Sequence, residues 1–312
     1  LVFASLRRSF KVMGRAGGNR RASSSHSASG KRDFQELSAF HGAPLHPVWI
    51  IDKRVQRKGA GLLPNIWDEV GSNRRGLGYN SYLRIFRALR KGQAMELKVF
   101  KSLWGMTGTL DENLDRIAEA GYNGVETGVP EEGLEEFGRK LQARGLEYIG
   151  MLFVLDSGSF LKGMKKARDL GAIKVNSHSG RDCWEFNEGC RYLEGALAAE
   201  ASVGIPAGHE THRYRLFYNP WVTAGYLRKF PELKITADFS HWTVVCESLL
   251  DDMGEHLELA IRRSVHVHAR VGHHEGPQVS DPRAPEFQDF VAQFEQWWDG
   301  ILDAHIARGE KL

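Results

Sequence analysis

The chain is poor in cysteine and lacks the short motifs of several common enzyme classes. Its three cysteines, Cys183, Cys190 and Cys246, form neither a Cys-x-x-Cys pair nor a disulfide-dense pattern, which favours a reducing compartment. A glycine-rich phosphate loop, a Gly-x-Ser-x-Gly elbow and zinc-ribbon spacing are all missing from the sequence. The sequence therefore does not support a P-loop nucleotidase, an elbow-type serine hydrolase or a zinc ribbon.

Long hydrophobic runs are also missing. No apolar run approaches the roughly 20 residues that a membrane-spanning helix needs. The 312 residues, 42% hydrophobic and 26% charged, are typical of globular protein and long enough for one (β/α)₈ domain of about 250 residues. We therefore expect no membrane partner and a location in the cytoplasm.

Acidic residues are missing from residues 1–32, which are rich in Arg and Ser. Residues 1–94 hold 18 Lys and Arg against 5 Asp and Glu, whereas residues 95–312 hold 24 against 34. The first 32 residues suit an organellar transit peptide, or untranslated sequence read as protein, since the first residue is Leu1. We interpret residues 1–94 as a basic, largely disordered or spurious leader, and residues 95–312 as an acidic domain without a nucleic-acid partner.

From Met95 onward, the sequence repeats a unit of strand, polar loop, helix and glycine every 25 to 30 residues or so. Seven such strands can be counted, the first over Leu97–Leu103. We therefore predict an α/β fold: a (β/α)₈ TIM barrel that lacks the eighth strand in this chain, with a poorly ordered basic N-terminal extension. A seven-stranded barrel would leave two strand edges unpaired, which allows a homo-oligomer.

Metal-binding side chains follow three successive apolar segments. The first runs into His-Glu-Thr-His-Arg at 209–213, the second into Asp-Phe-Ser-His at 238–241, and the third into His-Val-His-Ala-Arg at 266–270. The active site of a parallel barrel is built at the C-terminal ends of its strands, so these groups are expected to meet. Glu, Asp and His together form a mixed oxygen and nitrogen site for a divalent cation.

Each of these residues also has a plainer interpretation. Glu210 alone is equally consistent with a surface carboxylate, and an isolated Asp238-x-x-His241 pattern is common. His266 and His268 lie two apart on a strand and share a face, with His268 nearer the C-terminal end and His266 equally consistent with a core histidine.

Three further residues are candidates for substrate binding. Arg270 continues on the side of His268 and would meet an anionic or polyhydroxyl substrate, while Glu126 and His178 end the second and fourth strands on the expected rim.

Together, the three segments resemble the xylose isomerase-like barrel superfamily over residues 95–312. The resemblance implies that Glu210, Asp238 and His268 are three of four metal ligands, and that His241 contacts substrate or metal. The fourth ligand implied is a Glu that ends the eighth strand, and Glu310 comes too early to match it.

The resemblance implies a sugar or sugar-phosphate isomerase or epimerase with a divalent cation (Mn, Mg, Co or Zn). Glu210 and His241 are the catalytic candidates, and the substrate-binding candidates are His178, His241, Arg270 and Glu126. The alternatives are a metal-dependent phosphoesterase of the apurinic-endonuclease type, or a barrel that binds a ligand without turnover.

Overall fold

Eight strands pair in sequence order into a closed barrel in the residues that the computed structural model describes, 48–52 and 96–308. The strands are β1 (Val48–Asp52), β2 (Glu96–Ser102), β3 (Gly124–Gly128), β4 (Glu147–Val154), β5 (Lys174–Ser179), β6 (Ala207–Glu210), β7 (Ile235–Ala237) and β8 (Ser264–Val267). From β2 to β8, each strand runs parallel to the next one in the chain. The seven parallel strands predicted from the sequence are thus confirmed.

The seam between the first and last parallel strands is bridged by β1. This strand is antiparallel to β2, with Val48 opposite Phe100 and Asp52 opposite Glu96, and antiparallel to β8 through Trp49 and Val267. The expectation of two unpaired edges therefore does not hold. Strand β1 belongs to residues 1–94, so the sheet includes residues from both sides of the boundary that we drew at residue 94. The transit-peptide interpretation concerns residues 1–32, which lie outside the described residues.

Helices follow the parallel strands and form the outer layer. They are α1 (Leu110–Glu119), α2 (Leu134–Ala143), α3 (Ser157–Asp169), α4 (Phe186–Val203), α5 (Pro220–Lys229), α6 (Phe239–Val245), α7 (Gly254–Arg263) and α8 (Gln288–Ala307), the last preceded by the 3₁₀ turn Pro285–Phe287. Local sequence fixes several starts. Thr109 and Glu112 form a capping box before α1, Asp156 caps α3, and Asn219 with Pro220 begins α5.

One helix is divided differently from the sequence prediction. The pattern predicts a single helix over residues 247–262, but the chain turns into α6 directly after β7 and forms α7 separately. Asp238 is the residue immediately before α6, so the Asp-x-x-His pattern spans a strand-to-helix junction. This junction turns Asp238 and His241 toward the same end of the barrel.

Alternation along the strands separates an outer from an inner apolar cluster. Tyr148 packs edge-on against Phe137 of α2, with ring centroids 5.3 Å apart, in the layer between sheet and helices. Ile149, the next residue, forms a second cluster with Phe100 inside the barrel. The inner face of each strand can therefore be assigned from its register with Ile149.

The barrel interior is tight below the C-terminal strand ends. A Cβ added to Gly208 would lie 2.5 Å from the Thr236 hydroxyl oxygen and 3.2 Å from its backbone nitrogen. Only glycine lets β6 approach β7 this closely, two residues before Glu210. In the described part of the chain, no helix combines the length and apolar character required of a membrane span.

We expect a chain shortened to residues 95–312 to be less stable and more prone to associate than the full chain. Removing β1 leaves the backbone groups of β2 and β8 unpaired, and such edges pair with other chains. The melting temperature should fall by at least roughly 2–4 °C, the change that 1 kcal/mol produces in a domain of this size. Thermal melts and light scattering measure both effects.

Two point variants of the full chain serve as controls. Ile50→Pro removes a backbone donor from the middle of β1, whereas Ile50→Ala retains it. Ile50→Pro should lower the melting temperature more than Ile50→Ala does. A shortened chain with the melting temperature of the full chain and no association would show that β1 contributes nothing to the barrel.

Candidate metal centre

The inner face of the sheet carries polar side chains to the C-terminal end of the barrel, which we call the mouth. Glu126 lies opposite Ile149, and Ile149 lies opposite Lys174, whose face also carries Asn176 and His178. Asn176 lies opposite Gly208, which places Glu210 on the same inner face. The register alone thus gathers carboxylate, amide and imidazole groups from neighbouring strands.

Two carboxylates and two imidazoles form the centre of the mouth. His268 Nδ1 lies 3.6 Å from Glu210 Oε1 and 3.7 Å from Asp238 Oδ2. His241 Nε2 lies 3.9 Å from the same Glu210 oxygen and 3.7 Å from the same Asp238 oxygen. The structure therefore brings together the three predicted metal ligands and adds His241 to them.

This donor set fits a divalent cation. Ligand atoms that share one cation at bonds of about 2.0–2.6 Å lie roughly 3–5 Å from one another, and the four separations fall in that range. Glu210, Asp238 and His241 are also a group whose ligand atoms all lie within 4.8 Å of one another. Two carboxylate oxygens with two imidazole nitrogens suit Mn, Co or Zn better than Ca.

Glu126 lies below this centre and holds His268 from behind. Its side chain is completely buried, accepts from His268 Nε2 at 3.0 Å and lies 2.9 Å from His266 Nε2. Asn176 Nδ2 donates to Glu126 at 2.9 Å and to Glu210 at 2.6 Å. The predicted substrate-binding role of Glu126 remains a prediction; its carboxylate contacts Asn176 and the histidines at 266 and 268.

His178 approaches Glu210 from the other side. Its Nε2 lies 2.8 Å from Glu210 Oε2, the oxygen to which Asn176 also donates. The centroid of the His212 ring lies 4.5 Å from that of the His178 ring and 3.8 Å from that of the His241 ring. Glu210 thus directs Oε2 toward His178 and Asn176, and Oε1 toward the other candidate metal ligands.

The electrostatics of the mouth keep the carboxylates ionised. Burial by itself would raise the pKa of Glu210, but the nearby imidazoles of His178 and His268 hold that pKa well below its ordinary value. Burial likewise acts against ionised Asp238, yet the adjacent Arg270 guanidinium lowers its pKa. Three ionised groups, with Glu126, therefore converge at the mouth.

The two central imidazoles have opposite shifts. Burial tends to lower the pKa of His268, but Glu126 and Glu210 outweigh it and raise that pKa well above its ordinary value. Burial dominates at His241 and lowers its pKa well below the ordinary value, despite Asp238. Divergent pKa values in neighbouring groups are typical of catalytic sites.

Two arginines reach the mouth, one from the loop after β6 and one from the loop after β8. Arg270 Nη2 donates to Asp238 Oδ2 at 2.9 Å and lies 2.6 Å from His241 Nε2. Arg213 Nη1 lies 3.1 Å from Nδ1 of the same imidazole. Arg270 was predicted from the sequence to face the mouth, and its position agrees with that placement.

Sequence reasoning missed three residues of the mouth. Asn176 bridges two of its carboxylates, while His212 and Arg213 both contact His241. Asn176 lies two residues before the candidate His178 on the same face of β5, which was a usable signal. His212 and Arg213 belong to the His-Glu-Thr-His-Arg segment, but their direction depends on the loop after β6.

Comparisons with known proteins locate similar folds among solved structures. No protein-family model and no curated protein matches the chain. A xylose isomerase domain protein from Planctomyces limnophilus is similar at 13% identity and a TM-score of 0.48, over 64% of this chain and 85% of that one. A sugar phosphate isomerase/epimerase from Parabacteroides distasonis is similar at 11% identity and a TM-score of 0.40, over 64% and 93%.

A third similar structure is the probable 3-DHS dehydratase AsbF of Bacillus anthracis, at 17% identity and a TM-score of 0.44, over 55% of this chain and 73% of that one. The solved structures similar to this chain thus include xylose isomerase-like and sugar phosphate isomerase/epimerase barrels, as the sequence predicted. At these identities, the chemistry of the site must be inferred from its own residues.

His209, behind the mouth, gives a pH-dependent prediction. Burial lowers its pKa to about 4, while an unfolded histidine has a pKa of about 6.5. Between these values the unfolded chain binds one more proton than the folded chain, so the stability that neutral His209 contributes is lost as pH falls from 6.5 toward 4. In this range, His209 alone should make the free energy of unfolding increase by about 1.4 kcal/mol for each unit of rising pH; this is the slope to be measured.

Denaturant unfolding at several pH values measures that slope. Replacement His209→Gln removes the titrating group and should lower the slope by about one proton between pH 4.5 and 6. Gln142→Asn, on α2, changes no titrating group and is the control for the effect of a substitution as such; it should leave the slope as it is. An unchanged slope in His209→Gln would show that His209 remains protonated, or is not buried, in the folded chain.

Proposed function

We propose that the chain is a divalent-metal-dependent isomerase or epimerase that moves a proton at the carbon next to a carbonyl of a sugar or sugar phosphate. The observation that carries this proposal is the cluster of Glu210, Asp238, His241 and His268, with carboxylate and imidazole atoms 3.6–3.9 Å apart at the mouth of a barrel. Glu210, Asp238 and His268 would hold the cation, with His241 as the nearest fourth donor. A divalent cation bound there would act as a Lewis acid on the carbonyl of the substrate.

The proton transfer is assigned to Glu210 and His178. Glu210 Oε2 and His178 Nε2 are 2.8 Å apart, so a proton taken up by one can pass directly to the other. Asn176 fixes the Glu210 carboxylate in this orientation by donating to the same oxygen. His241, on the other side of the centre, is the second catalytic candidate; burial keeps its imidazole neutral, so it would act as a donor to the cation rather than as a base.

The alternative from sequence, a phosphoesterase with three metals, has one observation in its favour. Three groups of metal-binding side chains occur among the described residues, one around Glu126, one around His178 and one around Asp238. Two of them share Glu210, so the groups are not independent sites. The number of cations bound per chain separates the two proposals: one for the isomerase, and two or three for the phosphoesterase.

Replacement Asp238→Asn should weaken Mn²⁺ binding by at least about tenfold, because it removes one of two charged oxygen ligands at nearly constant shape. Titration of Mn²⁺ followed by electron paramagnetic resonance gives both affinity and stoichiometry. Asp182→Asn, in the loop before α4, is the matched control and should bind as the unmodified chain does. Equal affinity in Asp238→Asn would remove Asp238 from the cation site.

Solvent deuterium exchange tests the reaction class without knowledge of the product. With Mn²⁺ in D₂O, at least one member of a panel of aldoses, ketoses and their phosphates should gain deuterium next to its carbonyl. His178→Gln should slow this exchange by about 10²- to 10⁴-fold, the usual contribution of general acid–base catalysis, with Mn²⁺ affinity changed little.

Two results would contradict the assignment. Equal losses of exchange and Mn²⁺ affinity in His178→Gln would mean that His178 acts only through the cation site. Absence of exchange across the panel, together with two or three bound Mn²⁺ and hydrolysis of a phosphodiester, would favour the phosphoesterase instead.

A further inference from the structure

A pocket beside the mouth, which we call the aromatic pocket, is lined mostly by aromatic side chains. It lies between the loops that follow β5 and β6 and the helices α4 and α5, with a volume of about 280 Å³. Five of its nine lining residues are aromatic and one is charged: Trp184, Phe186, Tyr218, Trp221, Tyr226 and Asp182. None of the nine belongs to the candidate metal centre, so the aromatic pocket is a separate place for a ligand.

Close packing holds three of the rings in place. A Cβ added to Gly180 would lie 2.6 Å from a ring carbon of Trp184, and one added to Gly225 would lie 3.3 Å from a ring carbon of Phe186. Phe186 also stacks on Tyr226, with ring centroids 4.7 Å apart and 16° between the ring planes. The positions of these rings are therefore fixed by the fold and do not depend on a ligand.

Two of the rings remain open to solvent. Phe186 and Trp221 are 43% and 47% exposed, although aromatic side chains of this size are mostly buried in folded proteins. Trp221 lies four residues before Gly225 on α5, so it occupies the same face of the helix, one turn from the position that Phe186 covers. An aromatic patch around a pocket, in contrast to a single exposed ring, is typical of a binding site.

Asp182 supplies the one charge in the aromatic pocket. It is half-buried, and no Lys, Arg or His lines the pocket with it. The neighbouring Arg181 turns toward Tyr214 instead, with its guanidinium carbon 4.1 Å from the centre of that ring. In the part of the chain that the structure describes, Asp182 forms no ion pair. A partly desolvated carboxylate of this kind is stabilised by a ligand that brings a positive charge.

We propose that the aromatic pocket binds a quaternary or alkylated ammonium group. The faces of aromatic rings attract a cation within about 6 Å of the ring centroid, and a nearby carboxylate adds to that attraction. Asp182 repels anions, and a neutral sugar would leave its charge without a counter-ion. The volume is close to the lower end of the roughly 300–1,000 Å³ range of ligand pockets, so it suits a small head group. The proposal goes beyond the isomerase function and does not depend on it.

The test uses choline and its neutral analogue 3,3-dimethyl-1-butanol, in which a carbon atom replaces the charged nitrogen. Each is titrated by calorimetry into the full chain, with methyl glucoside as the probe for a sugar. Choline should bind at least about tenfold more tightly than the neutral analogue, because the cation–π attraction and Asp182 act on its charge. Equal affinity of the two, tighter binding of the glucoside, or no binding of choline would overturn the proposal.

Two substitutions locate the binding. Asp182→Asn removes the charge at nearly constant shape, and Trp221→Leu removes an exposed ring, so each should weaken choline binding by about fivefold or more. Asp251→Asn, at an exposed turn before α7, and Trp104→Leu, at a tryptophan that is 60% exposed after β2, are the matched controls and should bind choline as the unmodified chain does. Unchanged choline affinity in either pocket variant, shown to be folded by circular dichroism, would overturn the proposal.

The carboxylates at the mouth also attract cations, and Mn²⁺ separates the two places. Choline affinity should agree within about threefold with and without saturating Mn²⁺, because separate sites without shared residues act independently. Competition between choline and Mn²⁺ would place choline at the mouth and overturn the proposal. A chain that binds no Mn²⁺, yet binds choline in a manner that depends on Asp182, would refute the isomerase and retain the ammonium site.

Discussion

The structure of the mouth depends on three carboxylates that are buried without losing their charge. Glu126, Glu210 and Asp238 are at most 3% exposed, and removing an ionised carboxylate from water costs several kcal/mol unless donors replace the water. Each of the three is met by at least two donors, from imidazole, amide, hydroxyl or guanidinium groups. The strands can end in carboxylates only because neighbouring strands end in these donors.

His268 links the buried Glu126 carboxylate to the candidate metal centre. Its two ring nitrogens face different carboxylates, Nε2 toward Glu126 and Nδ1 toward Glu210 and Asp238. If a cation replaces the proton at Nδ1, Glu126 still accepts from Nε2–H and fixes the tautomer whose Nδ1 has a free lone pair. The completely buried Glu126 carboxylate would thereby tune the metal affinity of the centre through His268.

The sequence allowed the prediction of the parts that depend on local pattern. The patterns His-Glu, Asp-x-x-His and His-x-His are short, and each follows an apolar strand, so they can be recognised locally. The rule that the C-terminal strand ends of a parallel barrel converge then predicts that Glu210, Asp238 and His268 meet. Strand β1 was not predictable in this way, because its five residues lie among glycines and prolines and its pairing partners are 44 or more positions away. Asn176 was missed for a similar reason: a single amide in a strand gains its role only from carboxylates on β3 and β6.

The direction of β1 bears on the fourth position around the cation. The resemblance implies a Glu at the C-terminal end of an eighth parallel strand, but β1 runs antiparallel, with Asp52 opposite Glu96 and Val48 opposite Phe100. Its C-terminal residue therefore lies at the end of the barrel away from the mouth, so β1 closes the sheet without delivering a carboxylate there. Among the described residues, His241 is a second imidazole within 4 Å of Glu210 and Asp238, and it lies in the first turn of α6, directly after β7. Exchanging a carboxylate for an imidazole removes one negative charge from the centre.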